Sequence, residues 1–127
     1  MAAQQNADFD RNMAMDVMET IMQAHPDIDG VFCGNDAMAM GAYQAVLAAG
    51  KAGRIKVFGF DGARDAAYGA SMKIEATVMQ FPVVMSRTSA ELADRYIRGE
   101  RDFQSKTPVE VVLVTPANVE PYLSQNQ

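Results

Sequence analysis

The chain has 127 residues, 49% of them hydrophobic, with a net charge of −5 and a pI near 4.7. This fits one globular domain with a core of its own and argues against disorder. Acidic and basic residues are interspersed, so no basic face offers itself to nucleic acid. No stretch approaches the ~20 apolar residues of a membrane span, and no charged-then-apolar leader precedes residue 10.

In chain order, Asp10 is a good N-cap for a first helix over 10–24, where Ala14, Val17, Met18, Ile21 and Met22 recur at helical spacing. His25-Pro26-Asp27 stops it, because proline disfavours helix at the residue before it. A strand over 30–34 contains Cys33, the single cysteine, which excludes an intrachain disulfide and reads as a small buried hydrophobe. A second helix spans 36–49 with Ala39, Ala42, Tyr43, Val46 and Leu47 as its buried stripe, and Gly50 suits a left-handed C-terminal position. The ten methionines, four of them at Met13, Met15, Met18 and Met22 on the first helix, read as flexible core filling.

A second strand, 55–60, runs into Asp61-Gly62 and a short helix near 64–71. The third, 74–79, leads through Gln80-Phe81 into a helix opened by Pro82, since the first helical position has no N–H bond to lose. Met85, Leu92, Ala93, Tyr96 and Ile97 give that helix a face for a partner. A last strand over 109–114 precedes Thr115-Pro116 and a short C-terminal turn or helix. The alternation α-β-α-β-α-β-α-β predicts an α/β fold, a parallel sheet flanked by helices and joined by right-handed crossovers.

Three polar residues then fall at equivalent places, each just past an apolar run: Asn35, Asp61 and Gln80. In a parallel sheet they reach one carboxyl edge, where open α/β sheets bind ligands. Two amides and a carboxylate suit a polyhydroxylated ligand, and hydrogen bonds to a carboxylate are the strong ones. Asn35-Asp36 also opens a helix, so one of the pair must cap it; the expected division has Asp36 capping and Asn35 in the cleft. In Gly59-Phe60-Asp61-Gly62 the glycines remove bulk, which serves a turn or lets a ligand approach the backbone. Gln80 alone is unremarkable before a helix.

Catalytic constellations are poor. His25, the single histidine, lies at a helix end away from that edge, and no metal-ligand cluster, P-loop, Gly-x-Gly-x-x-Gly or nucleophile elbow is present. Asp61 could in principle act as a nucleophile, but no partner lysine and carboxylate pair stands at another strand end. No cofactor, metal or catalytic residue is expected.

These residues carry a resemblance. Ala7-Asp8-Phe9-Asp10-Arg11, Phe32-Cys33-Gly34-Asn35-Asp36-Ala37-Met38-Ala39-Met40-Gly41-Ala42, Val57-Phe58-Gly59-Phe60-Asp61-Gly62 and Ala76-Thr77-Val78-Met79-Gln80-Phe81-Pro82 follow each other in an order and spacing that resemble the carboxyl-terminal portion of periplasmic sugar-binding proteins of ABC transporters, the ribose-binding type. The resemblance runs from about residue 7 to residue 115. It implies a two-lobed clamshell that closes over a monosaccharide or sugar alcohol without catalysis. It gives Asn35, Asp61 and Gln80 the role of sugar hydrogen-bond partners and Phe9 that of a ring packed on the sugar.

The resemblance also implies an ABC transporter permease as partner and a periplasmic location for an intact parent. A full member is more than twice as long, so the chain resembles an incomplete carboxyl-terminal lobe. Segment 82–98 is then expected to pack on the other lobe, and an exposed sheet edge is expected to favour self-association. The effector-binding core of a lactose-repressor-type regulator shares the fold and is the nearest alternative. Gly-Phe-Asp-Gly, rather than Gly-Phe-Asp-Asp, leans towards the transporter branch.

Overall fold

The computed structural model describes residues 1–63 and 74–122. Helix α1 spans Arg11–Ala24, strand β1 Gly30–Phe32, helix α2 Asp36–Ala48, strand β2 Lys56–Asp61, strand β3 Ala76–Met79, helix α3 Pro82–Ile97 and strand β4 Val112–Val114. A 3-10 turn over Glu120–Tyr122 follows. The helix expected over 64–71 lies outside the described residues.

Local chemistry explains the helix ends. Asp10 caps α1 by accepting a hydrogen bond from the Met13 N–H at 2.8 Å, and the His25 N–H closes the other end on the Ile21 carbonyl. Helix α3 opens on Pro82 with no side-chain cap. Its α1 and α2 counterparts pack closely because Gly41 lets them: a Cβ there would stand 2.0 Å from the Arg11 carbonyl oxygen.

The sheet order is β1-β2-β3-β4. Strands β1, β2 and β3 are parallel, with Phe32 opposite Phe58 and Asp61 opposite Met79. Along β2 the buried residues Val57 and Gly59 alternate with half-buried Phe58 and Phe60, the period of two expected of a strand. The core joins Met18 and Met22 of α1 and Ala39, Ala42, Tyr43, Ala45 and Val46 of α2 to Cys33, Ile55, Val57 and Ile74. The core reading of Met18, Met22 and Cys33 is therefore borne out. Leu47 and Met13, by contrast, are exposed, against the core reading for each.

One strand departs from the expected parallel arrangement. β4 runs antiparallel to β3, with Val112 opposite Met79. The cause is α3, which buries none of its residues and does not pack back over the sheet. The chain therefore comes back to β3 from the end at which it left and runs the other way along it. An antiparallel edge strand on an otherwise parallel sheet is common in such folds.

Candidate functional site

Because β1, β2 and β3 are parallel neighbours, Asn35, Asp61 and Gln80 do reach one edge of the sheet, with strand spacing of about 4.8 Å setting the interval between them. They form two contacts. The Gln80 Nε2 donates to the Asp61 Oδ1 at 2.7 Å. The Asn35 Nδ2 reaches the Phe9 carbonyl oxygen at 3.5 Å, a long contact that ties the loop before α1 to the start of α2.

Phe9 is placed by a tight turn. The Asp8 N–H donates to the Asn6 Oδ1 at 3.1 Å and the Asp10 N–H to the Ala7 carbonyl at 2.8 Å. Asp8 and Phe9 both take left-handed backbone angles, φ 45° and 57°. Phe9 is left 70% exposed, its ring beside Gly34 as an apolar platform. Asp61 also has a positive φ, 111°. Such conformations are rare for residues with a Cβ and cost roughly 1–3 kcal/mol each, so surrounding bonds must hold them; they concentrate at ligand sites.

The division of labour at the start of α2 is the reverse of that expected. Asn35 is the N-cap, its Oδ1 accepting from the Met38 N–H at 2.8 Å, while its Nδ2, held only by the long contact to the Phe9 carbonyl, is the group that can turn to a ligand. Asp36 does not cap. It is 1% exposed, and its carboxylate accepts from the Thr77 hydroxyl at 2.7 Å and the Ala63 N–H at 2.6 Å, with the Gly62 N–H bonded to it as well. The helix geometry decides this: Asp36 already belongs to the first turn, from which its side chain is carried down onto β2 and β3.

Gly59 is likewise explained by Asp36 rather than by a ligand. A Cβ on Gly59 would stand 2.1 Å from the Asp36 Oδ1, so the glycine makes room for the carboxylate. Gly59 and Thr77 are register partners, and the carboxylate lies over that pair. Burial pushes the Asp36 carboxyl above the usual carboxylate range, and the neighbouring Asp61 charge adds to this. The bonds from Thr77, Ala63 and Gly62 oppose the shift. Thr77 was missed in the sequence. A hydroxyl facing a glycine on the neighbouring strand was the available signal.

Chemically the edge offers carboxylate and amide oxygens as acceptors, the Asn35 and Gln80 amides as donors, and an aromatic face at Phe9. Asp61 is exposed and Asn35 and Gln80 are half-buried, so the row is an open surface. A cavity of about 450 Å3 lies elsewhere, between residues 1–5, α1 and β1, lined mostly by apolar side chains. No cluster of three or more His, Cys, Asp or Glu residues able to hold a metal ion occurs among the described residues.

The ribose import binding protein of Salmonella typhimurium is 42% identical over 113 residues, covering 88% of this chain and 38% of that protein. The D-apiose import binding protein of Paraburkholderia graminis is 41% identical over 121 residues, covering 93% and 38% respectively. Among solved structures, an ABC transporter periplasmic solute binding protein from Actinobacillus succinogenes with bound D-allose superposes with a TM-score of 0.85 at 33% identity, over 96% of this chain and 43% of that one. The chain thus spans about two fifths of the length of the relatives it matches. Residues 2–101 match the family model described as a periplasmic binding protein domain, and the chain belongs to that family.

Proposed function

We propose that this chain supplies one wall of the ligand site of a sugar-binding protein serving an ABC importer, and that it recognises a monosaccharide or sugar alcohol without chemical turnover. The observation that carries the reading is the meeting of Asn35, Asp61 and Gln80 at the carboxyl edge of three adjacent parallel strands, with the Phe9 ring beside them. Relatives of the same fold hold D-allose and myo-inositol. A sugar has hydroxyls for the polar row and an apolar ring face for an aromatic platform.

The open row calls for a second wall, because small-molecule sites usually bury most of their ligand. In a chain of the relatives' length, α3 is the element we assign to a second lobe. It buries nothing here, and Val83, Val84, Met85, Tyr96 and Ile97 stand exposed along it. Periplasmic location and docking on a permease are part of the same reading. In the 127-residue chain by itself, the outer edge of β1 is the site proposed for self-association, since β1 pairs only with β2 among the described strands.

A thermal-shift panel of D-ribose, D-allose, D-apiose and myo-inositol, with a non-sugar amide as control, tests the reading. Stabilisation by at least one polyol but not by the control is expected. Turnover of any of them would contradict it.

A further inference from the structure

We propose that Asp36 is the positioning residue of this row: from beneath the sheet edge it holds the Asp61-Gly62-Ala63 turn in the conformation that presents Asp61 to a ligand. This rests on the sugar-binding reading above and adds to it a residue that does not itself face the sugar. The Asp36 carboxylate gathers three elements. It belongs to α2 directly after Asn35, accepts from Thr77 of β3, and accepts from the Ala63 N–H just past β2. The Gly62 N–H approaches the Thr77 Oγ1 at 3.3 Å as well as the carboxylate. Asp61 ends β2 directly before these anchored amides, at φ 111°, and would relax from that angle without them.

A residue that merely filled space would not need a charge 1% exposed in an apolar setting. Gly59 gives up its side chain to admit that carboxylate. The first-turn position on α2 also favours a negative charge. The titratable groups that face Asp36 are Asp61, the last residue of β2, and the Cys33 thiol, just after β1. Thr77 faces it from β3.

Stability and ligand binding then respond to acid in opposite directions. With its folded-state pKa raised, Asp36 contributes most to stability when protonated, below its unfolded pKa, and that contribution is lost as pH rises through the folded value. Protonation, however, turns one carboxylate oxygen into a hydroxyl and so weakens the acceptor that the Gly62 and Ala63 N–H groups share. Acid therefore relieves the burial cost while loosening the hold on the turn. A purely structural carboxylate would not separate the two.

The test uses the whole chain. Amide hydrogen exchange at Gly62 and Ala63, thermal midpoint, and affinity for D-ribose, D-allose, D-apiose and myo-inositol are followed from about pH 7 to about pH 4, a span that brackets ordinary carboxylate titration. In Asp36→Asn the midpoint at neutral pH is expected to hold or rise, exchange at Gly62 and Ala63 to quicken, and affinity for whichever polyol binds to fall roughly tenfold, the worth of one good hydrogen bond. Thr77→Val removes a bond that lowers the Asp36 pKa, so its exchange profile should move to higher pH. Unchanged exchange at Gly62 and Ala63 in Asp36→Asn, or unchanged affinity where the unaltered chain binds, overturns the proposal. If the unaltered chain binds none of the four, the sugar reading fails, and the exchange arm still decides whether Asp36 positions the turn.

Discussion

Gln80 donates its amide N–H to Asp61 across 2.7 Å, so two members of the polar row are already paired with each other at the sheet edge. The pairing leaves one Asp61 oxygen and the Gln80 carbonyl to accept from a ligand. It also fixes the orientation of the Gln80 amide before any ligand arrives. Replacing Gln80 by Glu sets a second carboxylate against Asp61, and Gln80→Ala removes the pairing. We expect polyol affinity to fall in both variants, more steeply for Gln80→Glu at neutral pH than at acid pH, where protonation relieves the clash. Isothermal titration at the two pH values reads the difference.

Asn35 serves two ends at once, and its variants separate them. Asn35→Ala loses the cap of α2 and should cost about 1 kcal/mol of stability. Asn35→Asp keeps an oxygen for the Met38 N–H, so the cap survives while the Nδ2 donor is lost. Urea denaturation should place Asn35→Asp near the parent and Asn35→Ala below it. Polyol affinity should fall in both.

Gly59→Ala forces a methyl into the space of the Asp36 carboxylate, 2.1 Å from its Oδ1. The methyl meets the Asp36 carboxylate, held by Thr77 and Ala63, and the Ala39 Cβ of α2, so neither yields cheaply. Overpacking of this kind costs roughly 1–3 kcal/mol. Urea denaturation should show this loss in Gly59→Ala and a smaller one in Gly59→Ala/Asp36→Ala, because the double variant removes the clashing atoms.

Cys33 is buried, with its thiol pushed up to about 11 by burial and, secondarily, by the Asp36 charge. The reactive thiolate is therefore scarce in the folded state near neutral pH. A disulfide reagent should label Cys33 slowly in buffer and at the rate of a free thiol in denaturing urea. Rapid labelling of the folded chain would place Cys33 in a more open environment than the core next to β2.

The elements that were legible in the sequence were those whose signal is local. Asp10 as a cap, the Met18–Met22 stripe and the strand ending at Asp61 all follow from spacing within a few residues. What depends on distant partners was not legible. Where the Asp36 carboxylate goes, rather than to the cap of α2, depends on Thr77, forty-one residues away, and on the space left at Gly59. The direction of β4 depends on whether α3 packs on the sheet, and the exposed Val83 and Ile97 carry no local mark of that. The four proposed ligand residues were found because three share a strand-end position. Phe9 entered only through the resemblance, since an exposed aromatic before a helix has no distinguishing pattern of its own.

The central claim concerns where a polyol sits. An NMR titration of the 127-residue chain with D-ribose, D-allose, D-apiose and myo-inositol tests it most directly. The account predicts weak, saturable binding of at least one of them, with shifts centred on Phe9, Asn35, Asp61 and Gln80 and lost in Asp61→Ala. Saturable shifts centred instead on the cavity between residues 1–5 and β1, or no response at the row from any of the four, would contradict it.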